Sequence, residues 1–168
     1  CEKGDKARDI ITRMPHEVIN VTTDDGIKLV GYFWANEKKT DKTAILIHGY
    51  NSNGFIDFSA VGYEYLQHGY NILIVTNRAS GLSGGKWIGF GVLESKDSLK
   101  WVDWVTERYP DGDIVLEGDS LGAATCCMMS DKGLPANVKA IVSECAFEQV
   151  KIKFINIVRT GHVPDNPL

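Results

Sequence analysis

The chain has 168 residues, 43% of them apolar and 24% charged, with a formal charge of −4. That predicts one globular domain able to bury roughly two-thirds of its unfolded surface. With no run of Lys or Arg, a nucleic-acid partner is not expected. No apolar stretch reaches the roughly 18 residues that span a bilayer, and no signal-peptide pattern is present. These features predict no integral membrane span and a cytoplasmic location. The chain begins at Cys1 rather than Met. The alternative is therefore a removed upstream segment that tethers the protein to a membrane or carries it out of the cytoplasm. Cys1, Cys126, Cys127 and Cys145 match neither a zinc motif nor a disulfide framework. Cys126 and Cys127 fall in an apolar run, where cysteine behaves as a small buried hydrophobe.

In chain order, Glu17 to Thr23 reads as a strand, Asp24-Asp25-Gly26 as a turn, and Lys28 to Trp34 as the partner strand of a hairpin. Thr43 to Ile47, Tyr70 to Val75, Asp113 to Leu116 and Val138 to Val142 are short apolar runs, suited to strands buried on both faces of a parallel sheet. Helical segments lie between them, at about Phe58 to Gln67, Val92 to Tyr109 and Leu121 to Asp131. In the second, Leu99, Val102 and Val105 recur at a spacing of three, and Pro110-Asp111-Gly112 stops the helix. This rhythm predicts an α/β fold, a mostly parallel sheet with helices on both faces. Ligands of such sheets bind beyond the carboxyl ends of the strands.

Strand Ile114 to Leu116 runs into Glu117-Gly118-Asp119-Ser120-Leu121-Gly122, and a helix follows directly. This is G-x-S-x-G between strand and helix, where a strained turn exposes a nucleophilic serine and small residues let strand and helix nearly touch. Ser120 is the candidate nucleophile. Upstream, Ala44 to Ile47 ends in His48-Gly49-Tyr50-Asn51. A His-Gly pair at this point commonly supplies an oxyanion-hole amide, so the backbone N–H groups of Tyr50 and Leu121 are the candidate donors. His48, Gly49 and Asn51 shape that loop, with His48 supporting it through hydrogen bonds. After the next strand comes Thr76-Asn77-Arg78-Ala79-Ser80-Gly81-Leu82-Ser83, with Arg78 a further loop residue beside the site.

Together these three elements resemble a bacterial subgroup of α/β hydrolases described as serine hydrolases or peptidase-like (serine aminopeptidase-like) hydrolases. The subgroup's Asp-x-Arg-x-His-Gly-x-Ser is matched except at Thr76 and Ser80. Its Gly-x-Ser-Met-Gly-Ala-Ala-Thr is matched by Gly118 to Thr125, with Leu121 for Met. Its Asp-Cys-Ala-Phe appears as Glu144-Cys145-Ala146-Phe147. The resemblance covers roughly Pro15 to Val150 and implies a triad in the order Ser, acid, His. It also implies eight strands, of which about six are recognisable before Leu168. Residues 1–148 then form a partial hydrolase core, C-terminally truncated, and residues 149–168 begin a cap or C-terminal helical segment, with a helix from about Gln149 to Thr160.

Within the chain, Glu144 at the end of the sixth strand and His162, the one histidine after Ser120, are the candidate acid and base. Three readings stand side by side: a fragment of a longer enzyme, a short enzyme that completes its site differently, and a non-catalytic binding or assembly module. The leading expectation is a carboxylesterase-like serine hydrolase cleaving small acyl esters through a Ser120 acyl-enzyme, with no metal or organic cofactor. An open sixth strand further predicts a homo-oligomer through the exposed sheet edge.

Overall fold

A computed structural model of the chain describes residues 2–144, apart from the side chains of residues 2 and 3. The segment 145–168, and with it His162, Cys145 and the helix expected from Gln149, lies outside the described residues. Among the described residues six strands form one sheet in the order β1-β2-β4-β3-β5-β6. They are β1 (Glu17–Thr22), β2 (Lys28–Trp34), β3 (Thr43–Ile47), β4 (Asn71–Val75), β5 (Ile114–Asp119) and β6 (Val138–Glu144). The pairings β1–β2 and β2–β4 are antiparallel; β3–β4, β3–β5 and β5–β6 are parallel.

The central strands follow the sequence expectation: every residue of β3 and β4 is buried. They separate two apolar clusters. On one face α1 (Glu2–Arg13) and α2 (Gly54–Gln67) cover Trp34, Leu46, Ile72 and Ile74, with Ile11 and Phe58 packed in. On the other, α3 (Val92–Arg108) and α4 (Leu121–Met129) cover Phe33, Ile45, Leu73 and Leu116, with Trp101, Val102 and Val105 packed in. Burying side chains of this size contributes roughly 1.5–3 kcal/mol each. The sheet with helices on both faces is therefore held from two sides, and its carboxyl ends stay fixed.

Three details differ from the sequence expectation. Helix α1 precedes β1 in a stretch whose surface is mostly charged; Ala7 and Ile11, four residues apart on one face, are buried and dock it. Helix α2 starts at Gly54 because the Asn53 side chain accepts from the Ile56 N–H as an N-cap. Strand β6 is not buried on both faces. It is the outermost described strand, so Ile141 and Val142 remain 36% and 37% exposed.

Candidate active site

Ser120 joins β5 to α4 with φ 51° and ψ −104°. A residue with a Cβ pays roughly 1–3 kcal/mol for such backbone, so it persists only where the surroundings over-determine it. Three contacts do so here. The Ser120 N–H donates to the Glu144 carbonyl at 2.8 Å, fastening the turn to the end of β6. The Ala124 N–H donates to the Ser120 carbonyl at 3.1 Å, closing the first turn of α4. The two flanking glycines let the chain fold back on itself. A Cβ on Gly118 would stand 2.2 Å from the Gly122 carbonyl carbon, and one on Gly122 would stand 1.8 Å from the Ile47 carbonyl oxygen. Neither position admits a side chain without moving α4 away from β3 and β5.

The same packing brings the loop after β3 against the serine. A Cβ on Gly49 would lie 3.5 Å from the Ser120 Cβ and 3.1 Å from Asp119 Oδ2. His48 is 1% exposed, and both of its ring nitrogens are engaged. The Asn77 N–H, which can only donate, reaches Nε2 at 3.1 Å. Nδ1 therefore carries the proton and donates to the Gly49 carbonyl at 2.7 Å. Burial holds the imidazole below its ordinary pKa, in keeping with this neutral tautomer.

That contact has a consequence for the neighbouring amide. The Gly49 carbonyl and the Tyr50 N–H belong to one planar trans peptide and point in opposite directions. With the carbonyl turned toward His48, the Tyr50 N–H faces away from the ring. Asp57 in the first turn of α2 holds the preceding peptide, accepting from the Gly49 N–H at 2.9 Å and from the Ser52 hydroxyl at 2.5 Å. Asn51 takes φ 54° at the turn, a conformation asparagine tolerates better than most residues. Leu121 is the first residue of α4, and an amide there has no acceptor within its own helix.

Arg78 is buried rather than open to a ligand. It donates through Nε and Nη2 to Asp97 at 2.6 and 2.8 Å, and through both Nη atoms to Asp25 at 3.1 Å. Paired carboxylates push its pKa up, the Asp97 hydrogen bonds most strongly. It thus ties the loop after β4 to α3 and to the β1–β2 hairpin. Ser83 secures the same loop by donating to the Thr76 carbonyl at 2.8 Å and accepting from the Val30 N–H at 2.9 Å.

Glu144 reaches the elbow through its backbone carbonyl. Its side chain is exposed and pairs in register with Asp119, so its carboxylate shares the α2 face of the sheet with Glu117. Glu117 accepts from the Tyr65 hydroxyl at 2.5 Å, and burial raises the pKa of both. His16 stacks on Trp34 beside the start of β1, and His68 caps the end of α2. Both lie at the amino ends of the parallel strands, opposite Ser120. Cys126 is buried, and burial pushes its thiol up to about 12. Cys127 is exposed, contrary to expectation, because the next residue of a helix turns roughly 100° away from the core. Among the described residues, no group of three or more His, Cys, Asp or Glu is placed to hold a metal ion. No helix among them is long and apolar enough to cross a membrane.

A strained serine at a strand–helix turn, beside a His-Gly loop at the end of a buried parallel strand, is the strand–turn–helix form of G-x-S-x-G on an α/β sheet. The family model described as "alpha/beta hydrolase fold" matches residues 43–160, and the chain belongs to that family. It is similar to the uncharacterized protein YqkD of Bacillus subtilis, 28% identical over 123 residues, which are 73% of this chain and 40% of YqkD. Among solved structures it resembles the Pyrococcus furiosus esterase Pf2001, with a TM-score of 0.72 and 27% identity over 90% of this chain and 58% of that one. A Coxiella burnetii α/β serine hydrolase homologue superposes with a TM-score of 0.61 at 20% identity, over 72% of this chain and 60% of the other, a likeness of fold. The chain thus spans between two-fifths and three-fifths of the length of these proteins.

Proposed function

We propose that the chain carries the nucleophile and oxyanion donors of a serine esterase acting on small acyl esters. The observation that carries the reading is the backbone of Ser120, φ 51° and ψ −104°, held against the Gly49–Tyr50 peptide. Such strain at a strand–helix turn serves to present a hydroxyl. In the proposed reaction Ser120 Oγ attacks the ester carbonyl carbon and its proton passes to a base. The Tyr50 and Leu121 N–H groups receive the oxyanion, and fixed donors of this kind are worth roughly 3–4 kcal/mol each in the transition state. The carbonyl reforms as the alcohol leaves with that proton, giving an acyl-serine that water then hydrolyses. The esterase name of the Pyrococcus furiosus protein supports this class of substrate.

The base lies outside residues 2–144, because His48 has both nitrogens engaged and His16 and His68 stand at the far end of the sheet. His162 is the candidate within the chain. The same observation favours a second reading, a hydrolase-fold binding module whose serine is never activated. Fluorophosphonate labelling separates the two. Labelling of the wild type that disappears in Ser120→Ala supports the esterase, and an unlabelled wild type leaves the binding module.

A further inference from the structure

The stretch before α3 contains a second strained segment that the elbow does not account for. Phe90 has φ 48° and Gly91 φ 98°. A bulky side chain at positive φ is a genuine outlier that needs outside support. The support is Glu94, 1% exposed, whose two carboxylate oxygens accept from the Gly89 N–H at 2.7 Å and the Gly91 N–H at 2.8 Å. Charge-assisted bonds to the amides on both sides of Phe90 fix its backbone. The segment also docks on α4: a Cβ on Gly91 would meet Met128 Sδ at 3.0 Å and the Thr125 N–H nitrogen at 3.5 Å, two turns and one turn beyond Ser120.

Held this way, the Phe90 ring faces Tyr50, with centroids 6.1 Å apart and planes tilted by 30°. Tyr50 follows Gly49, where a Cβ would stand 3.1 Å from Asp119 Oδ2 and 3.5 Å from the Ser120 Cβ. The ring pair therefore belongs to the loop that packs against the Ser120 Cβ through Gly49. They are not sealed into the core, since Tyr50 is 37% exposed and Phe90 half-buried. A partly open aromatic face on that loop has a surface left for a flat apolar group.

We propose that Tyr50 and Phe90 form the wall that receives the acyl group, giving preference to aromatic acyl groups, and that Glu94 is the positioning residue that keeps Phe90 in place. The inference rests on the esterase reading for its biological use, but the wall itself is testable without turnover. Ser120→Ala removes the nucleophile, so binding of phenylacetate and of acetate to that variant can be followed by NMR titration. Phenylacetate is expected to bind more tightly than acetate. Adding Phe90→Ala is expected to weaken phenylacetate by about three- to tenfold, the range for one lost aromatic contact, and to leave acetate unchanged. Adding Glu94→Gln, which keeps one acceptor and loses the other, is expected to give an intermediate loss. Phe90→Leu keeps an apolar side chain for folding and removes only the aromatic face; it is expected to lower the phenylacetate-to-acetate ratio as well. Equal binding of the two acids to the Ser120→Ala protein, or a ratio unmoved by Phe90→Leu, overturns the proposal. An unlabelled wild type in the fluorophosphonate experiment would overturn the esterase reading and leave these binding results standing.

Discussion

Removing the His48 ring tests whether it holds the loop after β3. In His48→Ala the Gly49 carbonyl loses its 2.7 Å partner and the Asn77 N–H loses its 3.1 Å partner, both in a buried place. Each buried backbone group left unpaired costs about 1–3 kcal/mol, so with two of them the variant is expected to lose about 2–6 kcal/mol. For a chain of this size that corresponds to a fall of about 4–24 °C in melting temperature. His48→Asn places an amide nitrogen where Nδ1 stands, restores the Gly49 contact alone, and should fall between the two. A second readout follows from the lowered pKa of His48. Below the ordinary value of 6.5 the unfolded chain binds a proton that the native imidazole still refuses. His48 therefore adds no pH dependence above that value, and stability declines as pH falls from there through the lower native pKa. Unfolding followed by circular dichroism from about pH 8 down to about pH 5 is expected to show this decline in the wild type and a shallower one in His48→Asn. A His48→Ala protein melting within a degree or two of the wild type, with the same acid slope, would refute the account.

Two further substitutions probe the elbow and its loop. Glycine adopts positive φ without strain, so Ser120→Gly is expected to be more stable than Ser120→Ala by about 1 kcal/mol, read as a higher melting temperature. An alanine variant as stable as the glycine one would show that the turn is not strained. Arg78→Lys exchanges a fork bonded to two carboxylates for a single point charge, leaving the 6%-exposed Asp97 side chain under-paired. The expected loss is about 2–4 kcal/mol in chemical denaturation, and no measurable loss would mean that Arg78 does not anchor the loop.

The parts of this fold legible in the sequence are those whose signal is local. Strands β3, β4 and β5 announce themselves by the apolar runs Ala44 to Ile47, Ile72 to Val75 and Ile114 to Leu116, and the G-x-S-x-G turn is complete within the six residues from Glu117 to Gly122. The residues that fix the site are less visible because their partners are distant in the chain. Asn77 meets His48 across 29 positions, and Arg78 meets Asp25 across 53. Asp57 and Glu94 look like ordinary acids in first helical turns, yet Asp57 holds the Gly49 amide of the loop against Ser120, and Glu94 holds the amides of Gly89 and Gly91. Spacing three residues before Glu94 does hint at a cap, but nothing local shows that the held residue is Phe90. Helix α1 was illegible for the opposite reason: its apolar face is too narrow to rise above a polar background, and it forms because α2 and Trp34 receive Ile11.

The geometry of Ser120 is a joint property of three strand ends. Strand β5 delivers the serine, β3 presents the Ile47 carbonyl that forbids a side chain at Gly122, and β6 supplies the Glu144 carbonyl that takes the Ser120 N–H. A shift of any one strand along the sheet would release the turn, since each contact is backbone to backbone and has little slack. The two apolar clusters on either side of the sheet prevent that shift, because β3 and β4 are buried along their whole length. The strain at φ 51° is thus maintained by core packing well away from the hydroxyl. On this reasoning, substitutions such as Ile45→Ala or Leu46→Ala act on Ser120 through strand position rather than through contact.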